Sequence, residues 1–382
     1  MFSFLQAIAS PIIGRLSDQH GRRRALLFSM AGNILSVCLW VGAADFRTFI
    51  ASRIVGGLSE GNVQLANAII ADISDEQQRG SAMALVGACF SLAFTCGPVL
   101  GATLASINMV ASNKFAMAAG VSLVLVVMET IYIYFSLPET HPRLRHLQDH
   151  SSLASKPSYN NKFDDTMPAM FNGGVSKVST NGHTSSSLAR QEKNTETKPR
   201  NTFVLNFLHL LFLLPFSGLE FSLPFLTSTL YSDQAKSINP SALNGRLLSL
   251  MGLIASLLQG TVVRRLPPIM NIRIGVVACA ISFFLLARVS SIRGVYVAGI
   301  FLAITSATVV TGINSLGSLV AREGERGLVL GRLRSWGQVG RAVGPLFICS
   351  LFWWVGREVA YTTGGVMMMG VAVAAFTILQ SP

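Results

Sequence analysis

Several side chains capable of chemistry stand inside stretches that are otherwise apolar: Arg53, Glu60, Asn67, His209, Glu220, Asn314, Gln338 and Arg341. An ionisable group near the centre of a bilayer costs about 2.5–3.5 kcal/mol on insertion scales, so each needs a partner or a wet cavity. Arg53, Glu60 and Asn67 recur at intervals of seven and would lie along one helix face. His209 and Glu220 are almost three turns apart, about 16 Å along the axis, with Pro215 between them marking a bent helix. Arg334, Gln338 and Arg341 fall at i, i+4 and i+7. The chemistry on offer is proton exchange at Glu220 and Glu60, and bidentate anion binding or internal ion pairing at Arg341. His209 is either a proton carrier or a satisfied histidine, and Arg53 either faces a cavity or snorkels to the surface. Thr305, Ser306, Thr308, Thr311 and Asn314 form either a wet wall or a ladder of interhelical hydrogen bonds. A nucleotide-binding glycine loop, a metal-ligand cluster and a nucleophile triad are all missing from the sequence, so neither an enzyme, a metal nor a cofactor is expected.

The elements that must hold these groups are membrane spans. Hydrophobic residues make up 51% of the 382 and charged residues only 13%, against about 25% in a soluble domain. After a short apolar run ending near Leu16, spans are expected at 23–44, 47–71, 81–106, 115–136, 203–231, 242–263, 272–290, 294–320, 328–355 and 359–380. The fold class is therefore all-α and membrane-embedded. Residues 137–201 turn polar, too poor in aliphatics to offset their ordering entropy, and are expected to be a disordered linker between bundles 1–136 and 202–382. Arg15, Arg22, Arg23, Arg24, Arg79, Arg264, Arg265, Arg322, Arg326, Arg332 and Arg334 lie in alternate loops. This places those loops, the linker and the C-terminus in the cytosol. The net charge of +12 is thus read as a topology signal rather than a nucleic-acid footprint. All five cysteines sit in apolar segments, as packing residues. The opening run is about 24 Å long as a helix, short of a bilayer, and would enter from outside. A preceding span missing from the chain is the expectation.

Two stretches repeat. In "QRGSAMALVGACFSLAFTCGPVLG" and "ERGLVLGRLRSWGQVGRAVGPLFI", Arg79 corresponds to Arg326 and Pro98 to Pro345, both offset by 247. Shifted by one residue, Gly14 meets Gly260, so "GTVVRRLPP" is a worn counterpart of the opening stretch. Duplicated halves of this kind belong to secondary transporters.

Gly14, Leu16, Asp18, Gly21, Arg22 and Arg23 resemble the G-x-x-x-D-x-x-G-[RK]-[RK] loop of the major facilitator superfamily, with Gln19 departing from its usual basic residue. The resemblance implies two helical bundles related by pseudo-twofold symmetry, about eleven transmembrane helices here, and the family's first helix missing. It also implies that Asp18 braces a closed cytoplasmic gate against a helix N-terminus near Leu328, with Arg79 as an ion-pair partner. "SRIVGGLSEGNVQLANAIIAD" and "FSGLEFSLPFLTSTLY" look like the tetracycline-transporter-like branch, close to twelve-span drug:proton antiporters. Gly97, Pro98 and Gly101 resemble that branch's antiporter signature, implying close packing and a kink; a generic Gly-Pro kink is the alternative. Arg53 resembles an arginine that tunes proton coupling, although Gly56 replaces the usual glutamine.

The function expected is proton-coupled efflux of small organic or drug-like solutes by alternating access. The partners expected are an organic substrate, protons and the lipid bilayer, with the chain a monomer in the plasma membrane or an organelle membrane. The alternatives are a non-transporting sensor or scaffold and an inactive truncated form.

Overall fold

The structure, a computed structural model, describes residues 1–105, 116–142, 144, 202–232 and 240–379. Most of the expected linker lies outside these. The described residues are almost wholly helical: α1 (Phe2–His20), α2 (Arg22–Val41), α3 (Phe46–Ser59), α4 (Asn62–Ile73), α5 (Glu76–Ala105), α6 (Ala116–Ser136), α7 (Thr202–Ser232), α8 (Pro240–Thr261), α9 (Pro268–Ala287), α10 (Ile292–Val320), α11 (Arg326–Trp354) and α12 (Arg357–Thr377).

Local chemistry fixes the junctions. Gly21, between α1 and α2, has φ of +99°, and a Cβ there would stand 2.3 Å from Glu139 Oε2, so both backbone and space demand glycine. Asp45 caps α3 by accepting from the Thr48 amide at 3.0 Å and from the Thr48 hydroxyl. The hydroxyl bond, with the amide bond behind it, holds this exposed carboxyl below the ordinary aspartate range. The expected single span 47–71 is instead two helices. The chain leaves the helix at Glu60 (ψ +92°) and Gly61, and Ser29 of α2 serves the freed backbone, accepting from Gly61 N at 2.8 Å and donating to Ser59 O. A break inside a membrane persists only where freed polar groups find such partners.

The helices form two bundles, α1–α6 and α7–α12. The first has a small core of Ala9, Ile13, Leu26, Met30, Leu65 and Ile69. The second has a larger one that includes Phe212, Leu219, Ile272, Phe283, Leu302 and Tyr361. Lipid is as apolar as these side chains, so close packing rather than the hydrophobic effect holds them. Among the described residues, α2, α5–α10 and α12 are long and apolar enough to cross a membrane. The short α3 packs against α1 and α2, while α1 and α4 meet α11 of the other bundle.

Two seams join the bundles. In the first, α1 meets α11 almost backbone to backbone: a Cβ on Gly14 would lie 2.2 Å from Gly327 O, and one on Gly331 would lie 2.5 Å from Ser10 O. Further along, Ser335 Oγ donates to Ala7 O at 2.5 Å. In the second seam, α5 meets α8 through Ser249 Oγ to Thr95 O at 2.9 Å, Ser91 Oγ to Gln259 at 2.8 Å, and Gly252 lying under Thr95. The expected glycine packing on α5 is at the wrong position. Among the described residues nothing lies within 4 Å of a Cβ on Gly97 or Gly101, and the helix runs unbroken through Pro98. The close approach comes instead at Gly87, beneath Gln259.

Candidate functional site

One end of the first seam carries a buried charge cluster. Asp18 accepts from the Gly327 and Leu328 amides at 2.9 and 2.7 Å, capping α11 as the sequence suggests, and pairs with Arg22 at 2.5 Å. Arg22, fully buried, also reaches Asp72 at 2.7 Å, and Asp72 in turn holds Arg326 at 3.0 Å. The expected Asp18–Arg79 pair is absent. Arg79 donates to Ser318 O and Ser74 O at 3.4 and 3.2 Å, because it belongs to the second seam. Arg23 donates to Tyr134 O and lies over the Tyr134 ring. Glu139 accepts from the backbone amides of Arg22, Thr140 and His141 at 2.8–3.0 Å, fixing the chain after α6 to the start of α2. Asp72 and Glu139 escaped sequence reasoning, since neither lies in a recognisable spacing. Asp72 could have been suspected as a carboxylate at the very end of an apolar run.

The bundle interior holds a second set of charges, organised by α11. At about 100° per residue, α11 turns Gly327, Gly331 and Ser335 to α1, and Gly337, Gly340 and Gly344 to α7. Val339, Val343 and Leu346 are exposed on its far side. Arg334, Gln338 and Arg341 occupy the wedge between the two glycine faces, opposite the exposed one. Arg334 reaches Glu60 across the bundles at 3.5 Å, and Arg341 reaches Glu220 of α7 at 3.3 Å. Gln338 lies between them, buried, its Oε1 without a partner. Among the ion-paired arginines of α11, side-chain exposure is 7% at Arg326, 17% at Arg334 and 40% at Arg341, with Glu220 at 33%. Arg341 is about 22 Å along the axis from Arg326, and its pair with Glu220 is more accessible than the Arg334–Glu60 pair.

The other expected groups are scattered. The helix break separates Glu60 from the register of Arg53. Arg53 sits among Phe2, Trp40 and Phe49, with ring centroids 4.9–5.8 Å away. Asn67 is buried on α4 and Asn314 half-buried on α10. His209 does not reach Glu220; its Nδ1 lies 2.9 Å from Leu333 O, tying α7 to α11, and its Nε2 has no partner. The hydroxyls of α10 serve helix contacts: Thr305 Oγ1 lies 3.0 Å from Gly275 O, and Thr311 accepts from Gln259. Glu129 is exposed on α6.

The comparisons agree with this architecture. Residues 1–345 match the Major Facilitator Superfamily model. The chain belongs to the major facilitator superfamily. It is 31% identical to mouse major facilitator superfamily domain-containing protein 10 over 94% of this chain and 73% of that protein. It resembles the crystal structure of the human organic anion transporter MFSD10 (TETRAN), with a TM-score of 0.75 and 28% identity over 98% of this chain and 82% of that one. A class C tetracycline resistance protein of Escherichia coli is 33% identical over 28% of this chain and 28% of its own length. The fold is shared with the proton:xylose symporter XylE, at TM-score 0.69 and 17% identity over 97% and 83%. As a superfamily member the chain is an integral membrane transporter taking a small-molecule substrate.

Proposed function

We propose that this transporter carries organic anions by alternating access and couples their movement to protons exchanged at Glu220 and Glu60, with the Asp18 cluster on the cytosolic side. The observation that carries the proposal is the Arg341–Glu220 pair, whose two side chains are each about one-third or more exposed. A substrate carboxylate or sulfonate displaces Glu220 and takes the Arg341 guanidinium bidentately. Glu220 then lacks its counter-charge, and an unpaired carboxylate in such a site is neutralised by a proton. Substrate and proton therefore load together. Protonation of Glu60 releases Arg334, which otherwise ties one bundle to the other, and so permits the bundles to rock. The printed description of the human relative as an organic anion transporter supports the substrate class.

A second reading is antiport of cationic drugs, favoured by the likeness to tetracycline resistance proteins over about a third of the chain. There the cation would compete with a proton for Glu220, and the two would move in opposite senses. Purified full chain in sealed vesicles separates the readings. Under the proposal a fluorescent organic anion moves in the direction of an imposed proton gradient, and Glu220→Gln weakens the gradient's effect, Glu60 alone still exchanging a proton. Gradient-driven movement that survives Glu220→Gln unchanged contradicts it.

A further inference from the structure

The duplication relates the two seams residue by residue. Arg326 donates to Ala71 O at 2.8 Å, and Arg79 donates to Ser318 O at 3.4 Å. Both donors and both acceptors differ by the same 247 positions. The carboxylates of the first seam have no counterparts in the second. Asp72 corresponds to Leu319, and in the frame that pairs Gly14 with Gly260, Asp18 corresponds to Arg264. The second seam therefore has no acid at the positions matching Asp18 and Asp72. Arg79 is 4% exposed and feels the charges of Glu76, Asp72 and Glu323, but among the described residues it hydrogen-bonds to the two carbonyls and ion-pairs with no carboxylate. Arg264, in the short turn after α8, is exposed and has no described carboxylate within ion-pair distance.

Between these two arginines the seam is open. A Cβ on Gly260, the counterpart of Gly14 at the cavity wall, would meet no described atom within 4 Å, whereas one on Gly14 meets Gly327 O at 2.2 Å. The gap is a cavity of ≈ 350 Å³ walled by Ser74, Gln78, Ser81, Leu85, Gln259 and Arg264. Arg79 Nη2 grips the carbonyl of Ser74 at its wall. The site thus offers a cation, hydroxyls and an amide where the opposite seam has a carboxylate.

We propose that this cavity binds the phosphodiester headgroup of a membrane phospholipid, which supplies the negative charge that Asp18 and Asp72 supply in the other seam. Leu85 and Leu257 are each 60% exposed and Val262 47%, continuing from the cavity as an apolar strip for acyl chains. Asp75 and Glu76 are exposed on the turn entering α5, and they repel a free dianionic phosphate more than a monoanionic diester. Occupied, the site holds the second seam shut on the same side as the Asp18 cluster.

The test is a titration of the purified full chain with phosphatidylglycerol, following thermal unfolding, beside a parallel titration with inorganic phosphate. Phosphatidylglycerol raises the Tm of the unaltered chain. Arg264→Gln weakens the apparent affinity about fivefold, the loss of one cation near a headgroup. Ala82→Phe, at the cavity wall, removes the response while Arg264 remains. Lipid titrations unchanged in both variants overturn the site. A phosphate-induced Tm shift as large as the lipid's, abolished by Arg264→Gln, overturns the lipid and assigns the cavity to a free oxyanion.

Discussion

At the scale of single residues, the same chemical types do opposite work according to what faces them. Asp72 is fully buried between Arg22 and Arg326, so Asp72→Asn leaves two guanidinium groups short of a counter-charge. The expected cost is about 3–5 kcal/mol, read as a lowered unfolding temperature of the purified chain, while Glu129→Gln, at an exposed position on α6, leaves that temperature unchanged. Arg341 is half-open, and its expected phenotype is functional: Arg341→Lys retains the charge but not the fork, raising the substrate KM while the protein stays folded. The sequence exposed these groups because charge inside an apolar run is conspicuous, but their partners were only partly legible. Glu220 with Arg341 was foreseeable as one alternative, whereas Arg334 with Glu60 was not, since a helix break no periodicity announces sets where Glu60 points. Arg53 shows the same limit, as its aromatic surroundings come from three different helices.

At the scale of elements, glycine position decides which helices touch. Gly14 and Gly327 let α1 and α11 meet at the backbone. Gly14→Val therefore wedges the seam apart, and labelling of a Ser335→Cys thiol by a water-soluble maleimide rises severalfold. Gly97→Ala and Gly101→Ala meet no neighbour among the described residues and leave both labelling and transport as they were. The Gly-Pro pattern of α5 was easy to see in the sequence, yet the residues that make the contact, Gly87 and Gly252, stand in no motif. Span positions were legible because twenty apolar residues are hard to hide. The interruption at Glu60 was not, because Ser29, which stabilises it, lies about thirty residues away on another helix.

At the scale of the whole molecule, the duplicated halves were readable from one shared offset, and the structure gives that offset a physical meaning in the matching Arg79–Ser318 and Arg326–Ala71 contacts. The halves differ in where the acids lie, so one seam is locked by its own carboxylates and the other holds a cavity. Ala7 and Ser335 meet across the locked seam. A disulfide between Ala7→Cys and Ser335→Cys is expected to stop transport until reductant is added, since the bundles must part there. The central claim is that the Arg341–Glu220 pair exchanges an anion and a proton together. It is tested most directly by measuring proton flux and organic-anion flux simultaneously in vesicles holding the purified chain. The account predicts that the two fluxes run in the same direction in a fixed ratio, and that Glu220→Gln lowers the number of protons moved per anion. Anion transport with no accompanying proton movement in the unaltered chain, or fluxes of opposite sense, would contradict it.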